Sequence, residues 1–217
     1  MSYRKIFSVV NEHTGSTVTA RYAIALAAAV KAELVLYAVH DDGTDETTLI
    51  HTERHLDHLF TVAFELDIPV TRITEVGKIA HLLPKRVHAE HADLVFYPLT
   101  PSERYATSFQ KQTVHHLLHT IRADLAIMRI VHMGKPHPRH ILAPLGGVIS
   151  EKERRADFLV AVAKSFQAQV TLFHRPSGGK RDTPLDFALL RNELRQHHLK
   201  VLERSGTGHI AKAIALE

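Results

Sequence analysis

No cysteine occurs in these 217 residues, which excludes a disulfide framework, a thiolate nucleophile and a cysteine-ligated metal. No run of apolar residues is long enough to cross a membrane. The longest candidate, AIALAAAV at Ala23–Val30, falls far short of the roughly 18 residues required. The opening MSYRKIFSVVNEHTG has no apolar signal core or cleavage site, so nothing points to export. A cytoplasmic setting is expected, with which the lack of cysteine is compatible. The 27 basic and 23 acidic residues give a formal charge of +4 without any block of five or six like charges, so no nucleic-acid partner is expected. Catalytic signatures are missing too. There is no G-x-S-x-G elbow, and Ser8, Ser16, Ser102 and Ser108 lack a base at motif spacing. No paired carboxylates recur at the strand ends. The one GGxxS-like run, Gly146–Ser150, lacks the lysine of a P-loop. The expectation is a protein that is not an enzyme and holds no cofactor.

What is present is regular. KIFSVV (Lys5–Val10), LVLYAV (Leu34–Val39), DLVFY (Asp93–Tyr97) and LAIMRI (Leu125–Ile130) are short apolar runs, as expected of strands covered on both faces. Pro69–Thr74 is a less hydrophobic strand candidate. Between these lie stretches with helical spacing at Thr17–Lys31, Thr47–Leu66, Ile79–His91 and Val114–Ile121. Pro84 should kink the third of them or begin a new turn. Five strands with helical crossovers and short connections describe an α/β fold, a doubly wound five-stranded parallel sheet. A ligand should then lie beyond the carboxyl ends of the strands, at the switch point.

HMGKPHP (His132–Pro138) reads as a linker, after which the pattern restarts. RKIFSVV at Arg4 is answered by RHILAPL at Arg139. In the stretch from Ala23 answered by that from Leu159, Ala32 stands opposite Ala168, Leu36 opposite Leu172 and Tyr37 opposite Phe173; GKIA at Gly77 is answered by GHIA at Gly208. A repeat of about 135 residues is a whole domain rather than a solenoid unit. The reading is a domain at residues 1–131, a linker at 132–138, and a partial second copy at 139–217 that stops after its third strand, Leu199–Glu203. Either a dimer partner completes that half or the chain is cut from a longer protein; the latter is favoured.

Three segments, KIFSVVNEHTGS, VGKIAHLLPKRVHAEHADLVFYP and QTVHHLLHTIRADLAIMRI, make the chain resemble the universal stress protein family. The likeness covers Tyr3–Ile130 as a full domain and Arg139 onward as part of a second, as in tandem members. It implies a Rossmann-like, adenine nucleotide α-hydrolase-like sheet and a role in stress response. Nucleotide-binding members carry G-x₂-G-x₉-G-[S/T] after strand four and an aspartate at the end of strand one. Laid on this chain, that pattern puts Leu99, Ser102 and Gln112 at the glycines, Thr113 at the hydroxyl and Asn11 at the aspartate. The segment LTPSERYATSFQKQT (Leu99–Thr113) contains no glycine at all. Glycine admits positive φ and lets bare backbone approach a phosphate, so side chains here should crowd a triphosphate out.

The resulting expectation is a non-catalytic binding or regulatory module whose first domain has a degenerate nucleotide site. Its residual ligand residues would be Asn11, Val39 (through its backbone), Ser102, Arg104 and Thr113. The alternative is an ATP or AMP sensor with weak or no hydrolysis, taking ATP with magnesium and using Arg104 and Thr113 on the phosphates. A soluble tail or accessory of a transporter is a third reading. In the resembled family the LAIMRI edge strand often pairs with a second domain or subunit, which motivates a homodimer or another protein partner. In the second repeat, Leu145–Gly146–Gly147 fits a ligand loop and equally a tight turn.

Eighteen histidines make the chain much more cationic in mild acid. His51, His55 and His58 share one helical face; His115 and His119 are one turn apart with His116 adjacent, and His88 and His91 stand three apart. Without a third ligand or the glutamate of H-E-x-x-H, the spacing alone leads to the expectation of no specific metal site.

Overall fold

The computed structural model describes residues 3–99, 108–130, 133, 137–145, 151–174 and 185–205, with backbone alone for 108–112 and 185–186. These fall into two compact units, one within Ser2–Pro136 and one within His137–Glu217. Most of the expected linker, together with Gly146–Gly147 and Gly208, lies outside the described residues.

In the first unit the order is β1 (Lys5–Val9), α1 (Thr14–Val30), β2 (Glu33–His40), α2 (Glu46–Glu65), β3 (Val70–Val76), α3 (Ile79–Ala89), β4 (Leu94–Pro98), α4 (Ser108–Thr120) and β5 (Asp124–Met128). The strands form one parallel sheet in the order β3-β2-β1-β4-β5. The central strands are the ones with continuous apolar runs. Ile6, Phe7, Leu34, Leu36, Leu94 and Val95 are all buried, because helices cover both faces. The edge strand β3 is less covered, exposing Thr71, Arg72, Thr74 and Val76.

Two helices begin earlier than their apolar spacing suggests. α1 opens at Thr14, and its polar first turn is buried at Gly15, Ser16 and Thr17. The Ser16 hydroxyl accepts from the Asn11 N–H (3.1 Å) and donates toward the Asn11 and His13 carbonyls (2.9 and 2.8 Å). Thr17 and Thr19 donate back to the carbonyls of Thr14 and Gly15. Small hydroxyl residues that bond to their own backbone can thus begin a buried helix ahead of its apolar stripe. α4 opens at Ser108, six residues before the expected Val114, so Gln112 and Thr113 are helical rather than part of a loop. α3 runs through Pro84 without interruption, although proline cannot donate to the carbonyl one turn back.

The second unit contains β6 (His140–Leu145), α5 (Lys152–Phe166), β7 (Gln169–His174), α6 (Leu185–Gln196) and β8 (Val201–Ser205), with a three-stranded parallel sheet in the order β6-β7-β8. Two helix ends, one in each unit, share a local geometry. Lys31 and Gln167 end α1 and α5 in the left-handed region. The next N–H groups, of Ala32 and Ala168, return to Ala27 and Ala163 at 3.0 and 2.9 Å. Leu36 and Leu172 are fully buried, and Tyr37 and Phe173 nearly so or fully.

Candidate functional site

In the first unit, the strand order turns back between β1 and β4, and crossovers leave on opposite faces of the sheet there. This opens a crevice beyond the strand ends. A cleft of about 340 Å³ occupies the place, at the small end of the range for ligand pockets. Val9, Val10, Asn11 and Glu12 line it from the end of β1, Val39, His40 and Asp41 from the end of β2, and Tyr97 and Pro98 from β4. Thr44 and Thr48 come from the start of α2, Ile79 from α3 and Thr113 from α4. Three expected site residues, Asn11, Val39 and Thr113, therefore meet in one cleft. Ser102 and Arg104 lie outside the described residues.

The backbone at Val39 is open. In a parallel strand, successive residues turn their N–H and C=O groups to opposite neighbours. The Tyr37 carbonyl accepts from Val10 on β1's side (2.8 Å), and the His40 carbonyl accepts from Gly77 on β3's side (2.8 Å). Val39, two residues after Tyr37, therefore faces the β1 side, where β1 has already ended at Val9. Among the described residues no backbone group pairs with it there, so one donor and one acceptor point into the cleft.

Asn11 is more occupied. Its Oδ1 accepts from the His13 N–H at 3.0 Å, an Asx turn that shapes the loop into α1. Its carbonyl accepts from the Ser16 hydroxyl and lies 2.9 Å from Nδ1 of His55 on α2. The amide Nδ2 is what Asn11 can offer a ligand. The contact also commits His55 to the β1–α1 turn, removing it from the His51–His55–His58 row. Leu99 does not line the cleft: its N–H bonds the Met128 carbonyl at 2.9 Å, and its side chain packs on the core with Tyr97 and Val114.

Sequence reasoning missed Glu12, His40, Asp41, Thr44 and Thr48. The signal available was HDDGT, the loop directly after the second strand, which the doubly wound topology brings to the same crevice. His40 is buried at 8% exposure, and among the described residues its Nε2 has no hydrogen-bond partner. Asp41 is paired with Lys78 (Nζ to Oδ2, 2.7 Å), and Glu12 with His13 (3.2 Å). The described wall thus offers hydroxyls, backbone groups and two carboxylates.

Beside the cleft, the sheet holds a second polar group. The phenol of fully buried Tyr37 donates to Oε2 of Glu75 on β3, and Arg86 on α3 donates to Oε1, each at 2.5 Å. The Arg86 guanidinium, helped by the Tyr37 hydroxyl, holds the Glu75 carboxyl below its ordinary value. Burial, then the Glu75 carboxylate, pushes the Tyr37 phenol well up.

No family model matches the sequence, and no curated protein matches it. Solved structures do. A universal stress protein from Archaeoglobus fulgidus DSM 4304 is 16% identical with a TM-score of 0.64, covering 100% of this chain and 82% of its own. A protein of unknown function from Pseudomonas aeruginosa PAO1 is 13% identical with a TM-score of 0.63, covering 99% and 78%. A universal stress protein from Lactobacillus plantarum is 14% identical with a TM-score of 0.51, covering 59% and 99%. The chain, with its five-stranded α/β sheet and a second sheet of three parallel strands, has the fold of the universal stress proteins.

Proposed function

We propose that the chain is a non-catalytic regulatory module of the universal stress type, working in the cytoplasmic stress response, whose first unit admits the nucleoside part of an adenine nucleotide and grips the phosphates poorly. The observation that carries this reading is the open backbone of Val39, facing a cleft of about 340 Å³ at the switch point. A donor and an acceptor on one peptide edge match the paired acceptor and donor of an adenine rim, and they do so whatever the side chain. Thr113 brings a hydroxyl to the cleft, and the Thr44 and Thr48 hydroxyls, which donate to the Asp41 carbonyl and to Oδ2 of Asp45, can still accept from a ribose.

Tight binding of a triphosphate lacks equivalent support. The glycine that would let backbone wrap the anion is replaced by Leu99, which packs inward. The Glu12 carboxylate lines the cleft and disfavours phosphate oxygens, while that of Asp41 is offset by Lys78. No metal or cofactor is needed for this role. The partner is a second copy of the chain, joined through the outer edge of β5.

Calorimetry of the full chain with adenosine, AMP and ATP with magnesium tests the reading. Adenosine and AMP should bind within about tenfold of ATP, because every 1.4 kcal/mol of phosphate contact would be worth another factor of ten. Binding of ATP a hundredfold tighter than adenosine, or steady release of phosphate from ATP, refutes it in favour of a nucleotide sensor.

A further inference from the structure

The exposed face of α4 carries a feature that the cleft does not use. His115 and His119 are exposed and one turn apart, a spacing that places two side chains one above the other. Their rings are 4.4 Å apart between centroids, and the two Nε2 atoms approach to 3.2 Å. Two nitrogens about 2.05 Å from one zinc ion and 3.2 Å from each other subtend about 103° at the metal, close to the tetrahedral angle. The square arrangement favoured by copper or nickel would need a bite nearer 2.9 Å, given about 90° and similar bond lengths.

Among the described residues, the other histidine ring contacts lack this geometry. His88 and His91 have centroids 6.4 Å apart, and His81 on α3 meets His116 on α4 edge-on at 5.8 Å. His55 is held at the Asn11 carbonyl. Among the described residues no group of three or more metal-ligating side chains occurs, so the site has two protein ligands and leaves two positions of a tetrahedral ion for water or an incoming carboxylate.

We propose that His115 and His119 form an open, two-imidazole zinc site on the surface of α4. A bound ion closes a chelate ring over one turn of the helix that also presents Thr113 to the cleft and Leu117 to the core. Zinc therefore stabilises the helix from its exposed side.

The test is calorimetric titration of the untagged full chain with zinc, in a buffer that does not bind metal. The wild type should take up one equivalent more than His115→Ala/His119→Ala, and either single change should weaken that class at least tenfold. His51→Ala/His58→Ala should retain it. Both ligands are exposed, so circular dichroism of the variants should match the wild type. Histidine-ring nitrogen spectra supply a second readout, in which zinc should shift Nε2 of residues 115 and 119 first. Identical isotherms for the wild type and the double variant overturn the proposal, as do zinc shifts confined to other histidines. If the pair only shares an N–H···N hydrogen bond, these are the results obtained.

Discussion

Removing the Glu75 carboxylate has a cost that the structure lets one partition. In Glu75→Ala the Tyr37 hydroxyl, on a fully buried residue, loses the acceptor it reaches at 2.5 Å. An orphaned buried donor costs about 1–3 kcal/mol. Arg86 keeps a contact with Glu90 at 3.8 Å, so its loss is smaller, and the expected total is about 2 kcal/mol. Tyr37→Phe removes the donor and leaves Glu75 with Arg86, for about 1 kcal/mol. In the double variant no hydroxyl is stranded, so the two changes together should cost about 1 kcal/mol less than their sum. Urea unfolding followed by circular dichroism measures all three. The pH dependence supplies a separate check. Because the folded state holds the Glu75 carboxyl below its ordinary value of 4.5, the charged form favours folding. That contribution is complete above pH 4.5 and is lost as pH falls through that value and below it. Glu75→Gln should flatten this acid limb. Additive costs in the double variant, or an unchanged acid limb in Glu75→Gln, would refute the reasoning.

Two other predictions rest on backbone. Gly77 adopts φ +138°, and an added Cβ would stand 3.1 Å from Leu82 Cδ1, so Gly77→Ala should destabilise the first unit by about 1–3 kcal/mol in urea unfolding. On β5, the Asp124 N–H and the Met128 carbonyl bond toward β4, which turns Ile127 toward the outer edge. Ile127→Pro should therefore leave the sheet folded while converting a dimer to a monomer in sedimentation at micromolar concentration; a wild type that is already monomeric removes the basis for that interface.

How much was legible in the sequence follows from what each feature depends on. The parallel sheet was legible because burial on two faces forces uninterrupted apolar runs, and β1, β2 and β4 have them. The starts of α1 and α4 were not. Thr14–Thr17 carry no apolar stripe, and their helix is begun by hydroxyl-to-backbone bonds that local propensity counts as loop signals.

By itself the sequence determined the fold class, the positions of the central strands and the lack of glycine after β4, since all three depend on residue type or on uninterrupted apolar runs. Only the tertiary structure decided that β1 ends at Val9, opposite Tyr37, while β2 runs on to His40 and bares the backbone of Val39. It also decided that Leu99 turns to the core, that His55 is spent on Asn11 across 44 residues of chain, and that one histidine pair of several closes to 3.2 Å. Strand lengths, side-chain rotamers and contacts between distant residues arise from the packing of whole elements, and no local pattern records them.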